Sequence, residues 1–179
     1  MQKFKWFLLS IVLIATGFAF TAPAGNGSKE KIHWITLQEL NEVYYKNPKP
    51  ILIDVYTDWC GWCKQMDRTT YQNSKLAAYV NEKYYAVRFD AESTDTVFFN
   101  KQKFAYNPAV KANELAMYLT FGRLEFPHTI FLSAIDARPA PLSGYMKPKE
   151  MEAPVKFFGE KADANQTFIE FNKTMKKEW

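Results

Sequence analysis

Apolar positions along the chain change period several times, and each change marks an element. Leu37, Leu40, Val43 and Tyr44 recur at helical spacing and define one face of a helix. Thr36-Leu37-Gln38-Glu39 opens it with a capping-box pattern, in which the hydroxyl and the carboxylate cover free amides of the first turn. A strand over Lys31–Ile35 precedes this helix, and Asn47-Pro48-Lys49-Pro50 ends it. Ile51 to Thr57 is a nearly continuous apolar run, as expected for a strand buried on both faces; its one charged residue is Asp54. A helix then spans about Cys60 to Arg68. Asn73-Ser74 caps another that reaches about Glu82, and Tyr84–Asp90 is a further strand.

The pattern loosens in the second half. Thr96 to Tyr106 is aromatic but alternates poorly, and reads as a hairpin or an extended loop. Asn107-Pro108 predicts the start of a helix carrying Val110, Leu115, Met117, Tyr118 and Leu119. Thr129–Ala134 and about Leu142–Met146 predict two antiparallel strands joined by a turn around Asp136. Lys147-Pro148 opens a helix to about Phe158, since proline is tolerated in a first turn. A last helix is expected over Asn165–Lys177. There is no internal repeat. Helices alternate with strands, so the fold class is α/β, with a central mixed β-sheet flanked by helices.

With 179 residues, 47% of them hydrophobic, the chain makes one domain with a full core. Its 15 Phe, 10 Tyr and 5 Trp are read as core, with no cofactor attached to them. Net charge is +4, and Lys3 and Lys5 supply half of it. That balance is too weak to imply nucleic acid or an anionic membrane as partner. The N-terminus reads as an export signal over residues 1–24. Lys3 and Lys5 are followed by an uncharged stretch, Trp6–Phe20, and by the small-x-small site Ala22-Pro23-Ala24. The apolar stretch is shorter than the about 20 residues that span a bilayer, so cleavage is preferred over an uncleaved anchor. Residues 25–30 form a flexible lead-in, and the domain occupies 31–179. An oxidising compartment such as a bacterial periplasm is the expected location, with no stable membrane insertion after cleavage.

The two cysteines stand three residues apart, in Trp59-Cys60-Gly61-Trp62-Cys63-Lys64, where a strand gives way to a helix. Two thiols at i and i+3 of a first helical turn share a face, near the Cα separation of about 5.5 Å that a disulfide prefers. Zinc wants about four ligands, and only His33 and His128 are available besides, without ligand spacing, so no metal is expected. Haem attachment needs a histidine where Lys64 stands. A disulfide closing so short a loop stabilises little, which disfavours a static staple. A redox centre remains, carried by the dithiol itself with no bound cofactor. Cys60, at the helix start, is the expected attacking thiolate, because unpaired amides and the helix dipole favour negative charge there. Cys63 is the expected resolving thiol.

The segment ILIDVYTDWCGWCK, Ile51 to Lys64, resembles the second strand and active-site turn of the thioredoxin superfamily. Gly61 matches the family's common residue, and Trp62 replaces its usual proline. MDRTTYQNSKLAAYVNEKYYAVRFDAES is similar to the periplasmic thiol:disulfide interchange branch. Phe126-Pro127 ahead of His128-Thr129-Ile130-Phe131-Leu132 resembles the family's cis-proline and its strand, and Gly144 the glycine of the last strand. The resemblance covers about residues 30–160. It implies a thioredoxin-like fold with an insertion over 91–125, before the cis-proline strand, and a C-terminal extension over 161–179 with an extra helix. It also implies that Asp54 is the buried acid beneath the second cysteine, acting as general base on Cys63, and that Pro127 is cis and faces the sulfurs.

Trp59, Gly61, Trp62, Phe126 and Pro127 are then the expected substrate-binding residues. His128 either tunes the thiolate or simply begins a strand. Arg88 and Asp90 read as a strand-end pair or a solvated face. The function expected is an exported, monomeric oxidoreductase that reduces protein disulfides, recharged by an unidentified electron donor. The alternatives are an oxidase or isomerase of the same fold, and a binding module in which segment 96–121 and the tail hold a partner.

Overall fold

The computed structural model describes residues 30–179; the expected signal over 1–24, and all of the lead-in but Glu30, lie outside the described residues. In chain order the first elements are β1 (Trp34–Ile35), α1 (Leu37–Val43), β2 (Ile51–Tyr56), α2 (Gly61–Thr69), α3 (Ser74–Lys83) and β3 (Tyr85–Asp90). Two small hairpins follow, β4 (Val97–Phe99) with β5 (Gln102–Phe104), and β6 (Tyr106–Asn107) with β7 (Ala112–Asn113). The chain then forms α4 (Glu114–Thr120), β8 (His128–Leu132), β9 (Ala140–Ser143), α5 (Pro148–Gly159) and α6 (Phe168–Thr174).

Five strands make one mixed sheet in the order β1-β3-β2-β8-β9. β2 lies at its centre, parallel to β3 and antiparallel to β8. Side chains alternate across the sheet, so odd and even positions of β2 serve different layers. Ile51, Ile53 and Val55 pack with Leu40 of α1 and with Leu115 and Leu119 of α4. Leu52 packs on the other face with Met66 of α2, Leu76 and Val80 of α3, and Met151 and Val155 of α5. Each such fully buried Leu or Ile contributes about 1.5–3 kcal/mol. Asp54 belongs to the second set by alternation, and so faces the helix that carries the cysteines.

The capping box at Thr36 and Glu39 is present, and Asn73 caps α3 through bonds from the Lys75 and Leu76 amides. Several boundaries differ from expectation. The helix expected from Asn107-Pro108 starts only at Glu114. Residues 106–113 close a second hairpin instead, leaving Val110 exposed, and Asn113 serves as the cap by accepting from the Leu115 amide. The first strand is confined to Trp34–Ile35, the only residues of that stretch that pair with β3. The last strand sits earlier than expected, at Ala140–Ser143; it is an edge strand, where Pro141 is tolerated. The helix expected over Asn165–Lys177 is shortened to Phe168–Thr174, because Thr167 and Glu170 form a capping box after a 3₁₀ turn at Ala162–Ala164.

Candidate active site

Cys60 and Cys63 form a disulfide with an S–S distance of 2.05 Å and a Cα separation of 5.3 Å. A turn delivers them: the Cys60 amide donates to the Thr57 carbonyl at 3.2 Å, and Cys60 becomes the N-cap of α2. Its sulfur accepts the Cys63 amide at 3.0 Å, which is what a cap oxygen would do. The first turn of α2 holds no acidic residue, so its amides are free to favour a thiolate at Cys60. Both sulfur residues are recessed, at 4% and 3% exposure.

Asp54 is buried in β2, at 2% exposure. One carboxylate oxygen accepts from the Tyr71 hydroxyl at 3.2 Å and the other from Arg88 Nε at 3.2 Å. Burial dominates: it pushes the Asp54 carboxyl up to about 7, against the attraction of Arg88 and helped by the nearby Asp67. Tyr71 also shares a hydrogen bond of 3.2 Å with Thr129, the residue opposite Asp54 on β8.

Arg88 is neither a strand-end partner of Asp90 nor a solvated face, which corrects the sequence expectation. It stands opposite Asp54 in the β2–β3 register. Its Nη2 binds Asp67 of α2 at 2.9 Å, and its guanidinium lies 4.5 Å from the Tyr56 ring centroid. One arginine thus ties β3 to the strand bearing Asp54 and to the helix bearing the cysteines. Tyr71 and Arg88 are the site residues that sequence reasoning missed. For Arg88 the signal was available: it shares the two-residue alternation of β3 with Ala86, on the face turned towards α2.

Two exposed rings flank the disulfide, Trp59 at 66% and Trp62 at 63%. Trp59 lies edge-on to Phe126, with ring centroids 6.1 Å apart, and its Nε1 donates to Glu92 at 3.0 Å. Trp62 leans on Tyr145 at 5.6 Å. Gly61 is exposed, and a methyl group there would meet nothing within 4 Å. The Phe126–Pro127 peptide is cis. The Pro127 carbonyl is taken by the Gly144 amide at 2.8 Å, while Phe126 contributes no backbone hydrogen bond among the described residues. Gly144 adopts φ 91°, a conformation that glycine accepts without strain. His128 begins β8, buried at 1% exposure, and burial lowers its pKa. A groove of about 890 Å³ opens between α1 and the segment after β3, and neither cysteine lines it.

The family model described as Thioredox_DsbH, protein of unknown function, DUF255, matches residues 25–160. A protein disulfide-isomerase of Triticum aestivum is 24% identical over 119 residues, 58% of this chain and 23% of that protein. The thiol:disulfide interchange protein DsbD of Pectobacterium atrosepticum is 35% identical over 37 residues, 21% of this chain and 6% of that protein. The chain thus spans less than a quarter of the length of these curated relatives. A thioredoxin-fold protein from Helicobacter pylori superposes with a TM-score of 0.54 at 16% identity, covering 71% of this chain and 80% of that one. At that identity the likeness is one of fold.

Proposed function

The chain belongs to the Thioredox_DsbH family, and from that premise we propose that it is an exported thiol–disulfide oxidoreductase that reduces protein disulfides. The observation that carries this reading is a recessed Cys60–Cys63 disulfide at the start of α2, with a buried carboxyl of near-neutral pKa on the sheet face behind it. In the reduced form the Cys60 thiolate attacks one sulfur of a substrate disulfide. The substrate's S–S bond breaks, its other sulfur leaves as a thiolate, and a mixed disulfide forms. Cys63 then loses its proton and attacks Cys60, which releases the second substrate thiolate and restores the Cys60–Cys63 bond. Two electrons pass to the substrate, and an unidentified dithiol donor must return them.

Asp54 is assigned as the base that receives the Cys63 proton; a pKa of about 7 lets it both take and release one near neutrality. Trp59, Gly61, Trp62, Phe126 and Pro127 form the surface against which the substrate lies. The free Phe126 backbone suits pairing with an extended polypeptide. The dithiol carries the electrons, so no metal or bound cofactor takes part. Residues 1–24 act as the export signal, and the periplasm is the place of work for a monomer. The buried acid favours the reducing direction over an oxidase or isomerase.

The test has two parts. Cys63→Ser protein, incubated with native extract, should accumulate mixed disulfides on Cys60 that a reductant releases. Absence of any trapped species would return the chain to a binding module without turnover. Equilibration of the dithiol with glutathione then fixes direction. A potential near that of thioredoxin, about −270 mV, supports a reductase, and one near about −120 mV makes the chain an oxidant.

A further inference from the structure

The segment after β3 reaches the redox centre through Glu92. Its carboxylate accepts from Nε1 of the exposed Trp59 at 3.0 Å, and Trp59 in turn stands edge-on to Phe126. An exposed tryptophan would otherwise sample several rotamers. A hydrogen bond to a carboxylate is among the stronger ones and favours one placement of the ring.

Glu92 is itself held firmly. Its amide donates to Asp90 Oδ1 at 3.0 Å, and the preceding Ala91 carbonyl accepts the Asn113 amide at 2.7 Å. The Asn113 side chain, fully buried, clasps the Ser93 and Asp95 carbonyls at 3.2 and 2.9 Å. The second hairpin therefore braces the turn over 91–95 from behind, and Glu92 projects from a fixed backbone.

The same edge of the site is acidic. Asp58 precedes Trp59, and Asp90 lies close enough to Asp58 and Glu92 to feel both carboxylates. On the other side of Gly61, Arg68 lines a shallow hollow with Trp62 and Gln65. The approach to the sulfurs is thus polarised, with carboxylates beside Trp59 and the Arg68 guanidinium beside Trp62.

We propose that Glu92 is a positioning and specificity residue, which fixes Trp59 at one edge of the substrate-binding surface and makes that surface select polypeptide disulfides with a basic residue beside the attacked cysteine. Glutathione disulfide carries more carboxylates than ammonium groups and offers no apolar side chain to Trp59, so it is discriminated against on both counts. The inference rests on the oxidoreductase reading and names the substrate class for the same site.

The test is single turnover of the full chain, prereduced, against three disulfide-linked peptides that differ only in a Lys, Ser or Glu beside the cysteine, with glutathione disulfide as the fourth substrate. The Lys peptide should react about tenfold faster than the Glu peptide at low ionic strength, and glutathione disulfide slowest of all. The ratio should collapse towards one in 1 M salt, where the screening length is about 3 Å. Glu92→Gln keeps an acceptor for Trp59 but removes the charge, so the Lys-to-Glu ratio should fall to about threefold with the rate for the Ser peptide little moved. Glu92→Ala frees the ring as well and should slow the reaction of all three peptides. Equal rates for the three peptides, or an unaltered ratio in Glu92→Gln, would overturn this inference alone. Failure to react with any disulfide would overturn the oxidoreductase reading and this inference with it.

Discussion

Asp54 offers the sharpest quantitative test, because two opposed effects act on it and the larger can be read from stability. Burial favours the neutral acid, whereas Arg88 at 3.2 Å favours the anion. If burial wins, the carboxyl moves from its ordinary 3.8 to about 7 on folding. A raised acid pKa means that the folded state holds a proton the unfolded state has lost. Stability therefore falls as pH rises from about 4 to about 7 and levels off above. At about 1.36 kcal/mol per pH unit the whole loss is about 4 kcal/mol, of which roughly 3 kcal/mol falls between pH 5 and pH 8.5. Asp54→Asn removes the titration while keeping nearly the same shape. Urea unfolding of the oxidised wild type and variant at those two pH values cancels the titrations that the two proteins share. The variant should gain roughly 3 kcal/mol on the wild type between pH 5 and pH 8.5. A difference that stays flat would mean that Arg88 keeps Asp54 ionised throughout. The carboxyl would then be a structural ion-pair partner and a poor proton acceptor for Cys63.

Two further outcomes follow from neighbouring contacts. Arg88→Met removes the charge that stabilises the Asp54 anion, so the Asp54 pKa should rise further. The variant should lose about 2–3 kcal/mol at pH 8.5 but under about 1 kcal/mol at pH 5, where Asp54 escapes the penalty by staying protonated; equal losses at both pH values in the same urea assay would refute this. Asn113→Ala breaks the cap of α4 and uncovers the Ser93 and Asp95 carbonyls, which should cost about 3 kcal/mol in urea unfolding and speed proteolysis within 92–96. An intact cleavage pattern would show that the hairpin does not brace that turn.

What the sequence revealed, and what it hid, divides along the range of the interactions. The capping box at Thr36, the Asn73 cap and the buried run Ile51–Tyr56 are written within a few residues, and all are found in the structure. The cysteine pair is equally local, since the strand that precedes it and the helix that it caps are adjacent in the chain. Asn107-Pro108 misled because a proline after asparagine can open a turn as well as a helix. The choice was made by Asn113, whose side chain reaches back to Ser93 and Asp95, carbonyls about twenty residues upstream, and so ends a hairpin where a helix was expected to be under way.

The buried acid shows the same division within one residue. That Asp54 sits in an apolar strand is visible from its neighbours alone, and its burial could be anticipated. What sets its proton affinity is not visible there, because Tyr71, Arg88, Asp67 and Thr129 arrive from four other parts of the chain. The parallel register of β2 on β3 is the deciding fact. It sets Asp54 directly opposite Arg88, and a slip of one residue would turn Arg88 into the layer of Val87 and Phe89. That register is held by apolar positions on both faces, not by the ion pair. The fold's hydrophobic pattern therefore delivers the arginine to the acid, and Asp67, one helical turn beyond Cys63, draws the same guanidinium against the redox helix. An acid held by burial near neutrality, opposed by a cation anchored on that helix, is poised to change its protonation when charge appears at the sulfurs.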